Sequence, residues 1–350
     1  MQRRLLTKIL VFIIAAAILS LPVFALQDEL SEIESKAKDA LSKLKIESII
    51  DFLTSNISLF SKSLFSNFVI CFAVIIAETL FSIIKTGFGT NENVFELISC
   101  CVVIIIVFSP LTKCFIKAIE HIEAVCGFMI SLIPTCVVLH TASGNSLSAS
   151  LMSTSTMSVI TLIQTVSVSL ILPLIKASLS IETANIICKN PNISGISAIL
   201  KSISMWTIGL CFTLFSGFLS LSSLLQAGAD NLAMKGLKYG AAKLIPIAGG
   251  MVSESMKTVI TSVGYIKSVT GISGIIFIIY AIIPPLCFIL MTKLYLTLLS
   301  ITSNLTHSGL ISNFLKASVS ALNLLLALLL SCSVSIIIIL SIFIKSTVSV

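Results

Sequence analysis

Seven separate stretches of this chain are apolar enough and long enough to cross a bilayer, at about 64–84, 94–116, 122–141, 157–177, 199–221, 271–300 and 317–344. A crossing helix needs ~20 residues, and inside hydrocarbon a backbone has no water to bond, so such stretches fold as helices. Composition agrees: with 56% hydrophobic residues, 11% charged residues and a mean hydropathy of +1.12, there is too little polar surface to coat a soluble globule. The expectation is an all-α polytopic membrane protein with about seven transmembrane helices. Its longest charge-rich segment is roughly forty residues, below the size of an ordinary folded domain.

Residues 1–25 read as a signal peptide. Arg3, Arg4 and Lys8 form a basic start, 9–20 an apolar centre, and Val23-Phe24-Ala25 offers small residues for cleavage after Ala25. The alternative is an uncleaved anchor helix over 9–26; both readings leave the following segment outside the cytoplasm. That segment, 26–63, carries seven of the fifteen acids (Asp28, Glu29, Glu32, Glu34, Asp39, Glu47 and Asp51) among several lysines. Leu30, Ile33, Ala37, Ala40, Leu41 and Leu44 recur at helical spacing, which predicts an extracytoplasmic amphipathic helix. It suits a protein partner, the membrane surface or the chain's own membrane domain, 64–350.

The fifth and sixth apolar stretches are separated by a block of different character, 237–260. Lys238, Lys243, Lys257 and Glu254 are costly at bilayer depth, yet Leu244, Ile245, Ile247, Met251, Val252 and Met256 are too apolar for a solvated loop. Pro246 and the Gly249-Gly250 pair predict a short helix, a break, and a second helix starting near Val252. Starting outside, seven crossings place this block in the cytoplasm, where Lys235, Lys238, Lys243, Lys257 and Lys267 outnumber Asp230 and Glu254.

The run Ile245-Pro246-Ile247-Ala248-Gly249-Gly250-Met251-Val252-Ser253-Glu254-Ser255-Met256-Lys257-Thr258-Val259, followed by a glycine-containing apolar helix, resembles the stage III sporulation protein AE family of endospore-forming bacteria. The order of parts is similar across nearly the whole chain, although only this block is specific. The resemblance implies a component of a secretion-like channel complex in the mother-cell membrane around the engulfed forespore. Its implied partners are the other proteins of the stage III sporulation A operon, an ATPase and ring-forming membrane proteins, together with stage II sporulation protein Q. Pro246, Gly249, Gly250, Ser253 and Glu254 are the residues expected to carry function, because a proline and a glycine pair in an amphipathic element demand a particular backbone shape.

Two apolar stretches hold further candidates. Pro284-Pro285 lies in the middle of the sixth and should kink or break it, freeing carbonyls that need partners from neighbouring helices or water. Glu78 in the first is an intramembrane carboxylate, with Lys85 or Lys293 as a possible partner or the headgroups within its reach. The hydroxyl-rich fourth stretch, from Ser153 to Ser169, suits helix packing or a water-filled path.

Enzyme signatures are lacking: His121, His140 and His307 are isolated, and no zinc-binding H-E-x-x-H, P-loop or G-x-S-x-G occurs. No catalytic, cofactor-binding or metal-binding residue is therefore assigned, and no cofactor. The ten cysteines fall mostly in apolar stretches and read as buried small hydrophobes, Cys188 being the one that could face outside. Scattered lysines make no nucleic-acid surface. A self-contained small-solute transporter built on Glu78, the fourth stretch and the broken sixth is the alternative to a channel-complex component; a membrane-embedded enzyme comes third.

Overall fold

The computed structural model describes residues 64–80, 92–142, 146–188, 195–215, 217, 249–306 and 308–345. The chain divides into two compact units, Met1–Phe52 and Leu53–Val350, and every described residue belongs to the second. The signal peptide and most of the charged 26–63 segment belong to the first, and all of both lies outside the described residues.

Those residues form helices and no strand. They are α1 (Leu64–Leu80), α2 (Glu92–Ala142), α3 (Ser146–Thr165), α4 (Leu172–Cys188), α5 (Gly195–Phe215), α6 (Gly249–Leu305) and α7 (Gly309–Lys345). A π-helical turn, Val166–Ile171, joins α3 to α4 in one rod. Among the described residues five stretches are long and apolar enough to cross a membrane: in α2, the α3–α4 rod, α5, α6 and α7. Helix α1 is apolar but shorter.

The expected second and third crossings are one uninterrupted helix. α2 runs 51 residues through Lys113, Lys117, Glu120 and Glu123, the charges that mark a linker on the sequence. Leu111, Cys114, Phe115, Ala118, Ile122, Val125, Cys126 and Met129 are buried at three- and four-residue steps, so the apolar stripe passes straight through the charged segment. The charges occupy the other face, where Lys113, Glu120 and Glu123 are exposed. At 1.5 Å per residue α2 is about 77 Å long and the 57-residue α6 about 85 Å.

α7 is the centre of the packing. Of its most apolar window 61% is buried, against 11% for α5, and it touches α2, α3, α4 and α6. Gly274 marks a close approach: a Cβ there would stand 3.1 Å from Leu340 Cδ1 and 3.7 Å from Leu132 Cδ1, where α6, α7 and α2 meet.

Contacts along the rods fix their directions. Phe128 stacks on Phe277 at 4.1 Å and Lys117 lies 5.5 Å from the Phe288 ring, so α2 is antiparallel to α6. Cys71 meets Tyr295 at 3.5 Å and Glu78 meets Ser308, so α1 is parallel to α6. The chain therefore enters α1 and α6 from the same side. Seven crossings would put the segment before α1 and the block before α6 on opposite sides; with the second and third stretches joined in α2, the two helices run in the same direction instead.

The π turn also has a local cause. Pro173 has no N–H for the carbonyl four residues back, and its ring crowds that carbonyl. The widened turn, in which Leu172 N–H bonds Ser167 O, relieves the crowding.

Candidate functional site

The α6–α7 hairpin closes in three residues. Ser308 N–H donates to Ser303 O at 3.1 Å and Ser303 Oγ–H donates to Ser308 O at 2.9 Å, tying the end of one helix to the start of the next. Ser308 stands at the position before α7 from which a hydroxyl ordinarily caps the first-turn N–H groups. Here that cap comes from another helix: Glu96 Oε1, in the second turn of α2, accepts Leu310 N–H at 3.0 Å. A carboxylate at a helix N-terminus is favoured by the macrodipole as well as by the hydrogen bond. Asn304 Oδ1 accepts from Ser312 Oγ–H at 2.7 Å and from Lys316 Nζ at 3.1 Å and braces the outer side of the turn.

With its backbone duty taken over, the Ser308 hydroxyl serves Glu78. Glu78 lies on the buried stripe of α1, in line with Leu64, Cys71 and Ile75, and is 7% exposed. Its Oε2 is buried without a hydrogen-bond partner. Of the two expected lysines, Lys293 does not pair with it, lying two residues before Tyr295 on α6, and Lys85 lies outside the described residues. Its neighbours in charge are Glu96 and Cys100, both on α2. The structure brings together Glu78, which the sequence singles out, and Glu96 and Ser308, which it does not.

A second polar contact lies deep in the bundle. Of the kink or break expected at Pro284-Pro285, there is no break: α6 continues from Gly249 to Leu305. The reason is visible one turn back. Pro285 has no N–H for Ala281 O, and His121 on α2 supplies one, with Nδ1 at 3.1 Å from that oxygen. A carbonyl only accepts, so Nδ1 carries the proton, and Nε2 faces Ser333 Oγ of α7 at 2.9 Å. His121, isolated in sequence, thus joins three helices.

Pro246 lies outside the described residues. Gly249 and Gly250 are the first two residues of α6, and Ser253 and Glu254 follow within its opening turns. The second helix of the block therefore starts three residues ahead of Val252. The glycine pair is its first turn rather than a break beside it.

Hydroxyls along the α3–α4 rod mostly bond their own helix, as Ser158 Oγ does to Thr154 O and Thr161 Oγ1 to Met157 O. Ser167 instead reaches Cys332 Sγ at 3.1 Å beside a cavity of about 20 Å³ lined by Cys211, Ser331 and Ser335, room for roughly one water molecule. All ten cysteines are free, five of them buried, and Cys188 is exposed.

The family model for Stage III sporulation protein AE matches residues 24–347, almost the whole chain. The chain belongs to that family. A relative in Bacillus subtilis (strain 168), "Stage III sporulation protein AE", is 26% identical over 170 residues. The alignment covers 46% of this chain and 41% of the relative, so the match spans less than half the length of either. No solved structure matches. The family is thus a sporulation family, and among the described residues of this chain five helices are long and apolar enough to cross a membrane.

Proposed function

We propose that this chain is a membrane component of a sporulation-specific transenvelope channel, a secretion-like complex linking the mother cell to the engulfed forespore and needed for forespore development. The observation that carries the reading is the family match over residues 24–347. Its partners are the remaining proteins of the stage III sporulation A operon, including the ATPase and the ring-forming membrane proteins, and stage II sporulation protein Q. It resides in the mother-cell membrane surrounding the forespore. The bundle centred on α7 serves as a rigid platform, and the Pro246–Glu254 region at the start of α6 serves as a docking surface.

The transporter alternative has less to stand on. Of its three features, the broken helix is continuous through Pro284-Pro285 and the hydroxyls tested in the α3–α4 rod are tied to their own helix or to Cys332. The test is deletion of the gene in its host. Arrest after engulfment with loss of heat-resistant spores, and a fluorescent fusion confined to the membrane around the forespore, are the expected outcomes. Normal spore yield with signal throughout the vegetative membrane overturns the reading.

A further inference from the structure

We propose that Glu78 and Glu96, with the Ser308 hydroxyl, form a binding site for one monovalent cation at the closed end of the α6–α7 hairpin. The inference does not rest on the sporulation role. Two carboxyl groups from different helices meet there, and they are not equivalent. Glu96 has its compensation, because Oε1 takes the Leu310 N–H and the positive end of α7 lies against it. Among the described residues Glu78 has only Ser308. It is 7% exposed, and the Oε2 atom is buried without a hydrogen-bond partner from the protein. An ionised carboxylate so placed carries a desolvation cost. Its near neighbours make matters worse: Glu96 adds like charge, Cys100 offers none of the opposite sign, and Ser308 and Thr306 from the turn are neutral. His307 and Lys85, nearby in sequence, lie outside the described residues. A positive charge taken up at Oε2 removes the cost.

The stoichiometry follows from the same groups. Glu96 is already matched to the helix end, so one added charge neutralises the pair. Among the described residues no three His, Cys, Asp or Glu side chains are placed to hold a divalent metal. The shared chemistry is a monovalent cation, either a proton on Oε2 or a sodium ion held between Glu78, Ser308 and Glu96. Bound, it lets the last turn of α1 rest against the hairpin; released to water, it leaves two carboxylates facing each other across the α1–α2 contact.

The experiment uses the full chain in liposomes and dicyclohexylcarbodiimide, which modifies protonated carboxyl groups in apolar surroundings, with the modified residue located by mass spectrometry. In sodium-free buffer Glu78 should be labelled, Glu96 not, and labelling should fade as the pH is raised. Added sodium chloride separates the two sources, with choline chloride as the control: protection by sodium identifies a sodium site, and indifference to it a proton site. In E96Q, where the capping acceptor is kept but the like charge is gone, Glu78 should hold the cation less firmly, and labelling at a fixed pH should slow by roughly tenfold. E78Q, neutral and of the same shape, should fold normally and show no labelling in the α1 peptide. Absence of labelling at Glu78 at every pH in sodium-free buffer, or unchanged labelling in E96Q, overturns the proposal.

Discussion

Pro285 withholds the hydrogen that Ala281 O would have received, and the fold supplies another from His121, 160 residues away in the chain. Replacing His121 by leucine should therefore orphan a buried carbonyl and a buried Ser333 contact, at a cost of about 1 to 2 kcal/mol. A thiol-reactive dye reads this well, because Cys71, Cys100, Cys114, Cys126 and Cys332 are buried until the bundle opens. The melting temperature in detergent should drop. Pro285→Ala restores a helical N–H to Ala281, so it should recover roughly half of that loss when combined with His121→Leu. A double variant no more stable than the single one would remove His121 from this role. The need for a donor at Ala281 is legible from the proline pair alone. The donor is not, because which helix faces that carbonyl depends on the packing of the whole bundle. Glu78 shows the same limit: its place on an apolar helix marks it, but Ser308 and Glu96 reach it only through the hairpin and the start of α2.

At the scale of elements, the apolar runs from 64 on are helical wherever they are described, and the difference from expectation lies in where one helix ends and the next begins. Lys113 to Glu123 has the charge of a linker but no glycine, proline or asparagine to turn the chain, and its buried positions keep helical step. Charge density is then the outer face of a longer rod. Close packing between rods makes its own prediction at Gly274. Alanine there meets only the flexible tip of Leu340 and should be tolerated, whereas leucine must displace Leu340 and Leu132 and should lower stability by about 1 to 3 kcal/mol in the same dye assay. At the start of α6 the glycine pair is the first turn of a helix. Replacing Gly249 and Gly250 by valine should abolish spore formation at near-normal protein levels if the shape of that turn is what its partners read; unchanged sporulation would take the block out of the mechanism.

For the whole molecule, direction is the testable property. The rod from α3 to α4 runs back along α2, with Lys176 5.4 Å from the Phe115 ring, so exposed Cys188 lies toward the end of the bundle that holds the α6–α7 turn. A cysteine placed ahead of α1, Ser63→Cys, and one placed ahead of α6, Ala248→Cys, precede two helices that run in the same direction. A membrane-impermeant maleimide added to sealed vesicles of one orientation should thus label the two introduced thiols together and Cys188 only from the opposite face. Labelling of Ser63→Cys and Ala248→Cys from opposite faces would restore the extra crossing. The parallel run of α1 and α6 also gives the molecule a front and a back. The start of α6 lies at one end of the bundle and the proposed carboxyl site under the hairpin at the other. The two ends of the bundle are joined by α2 and α6, rods of about 77 and 85 Å, so a shift at one end that reaches the other travels along continuous helix rather than through loops.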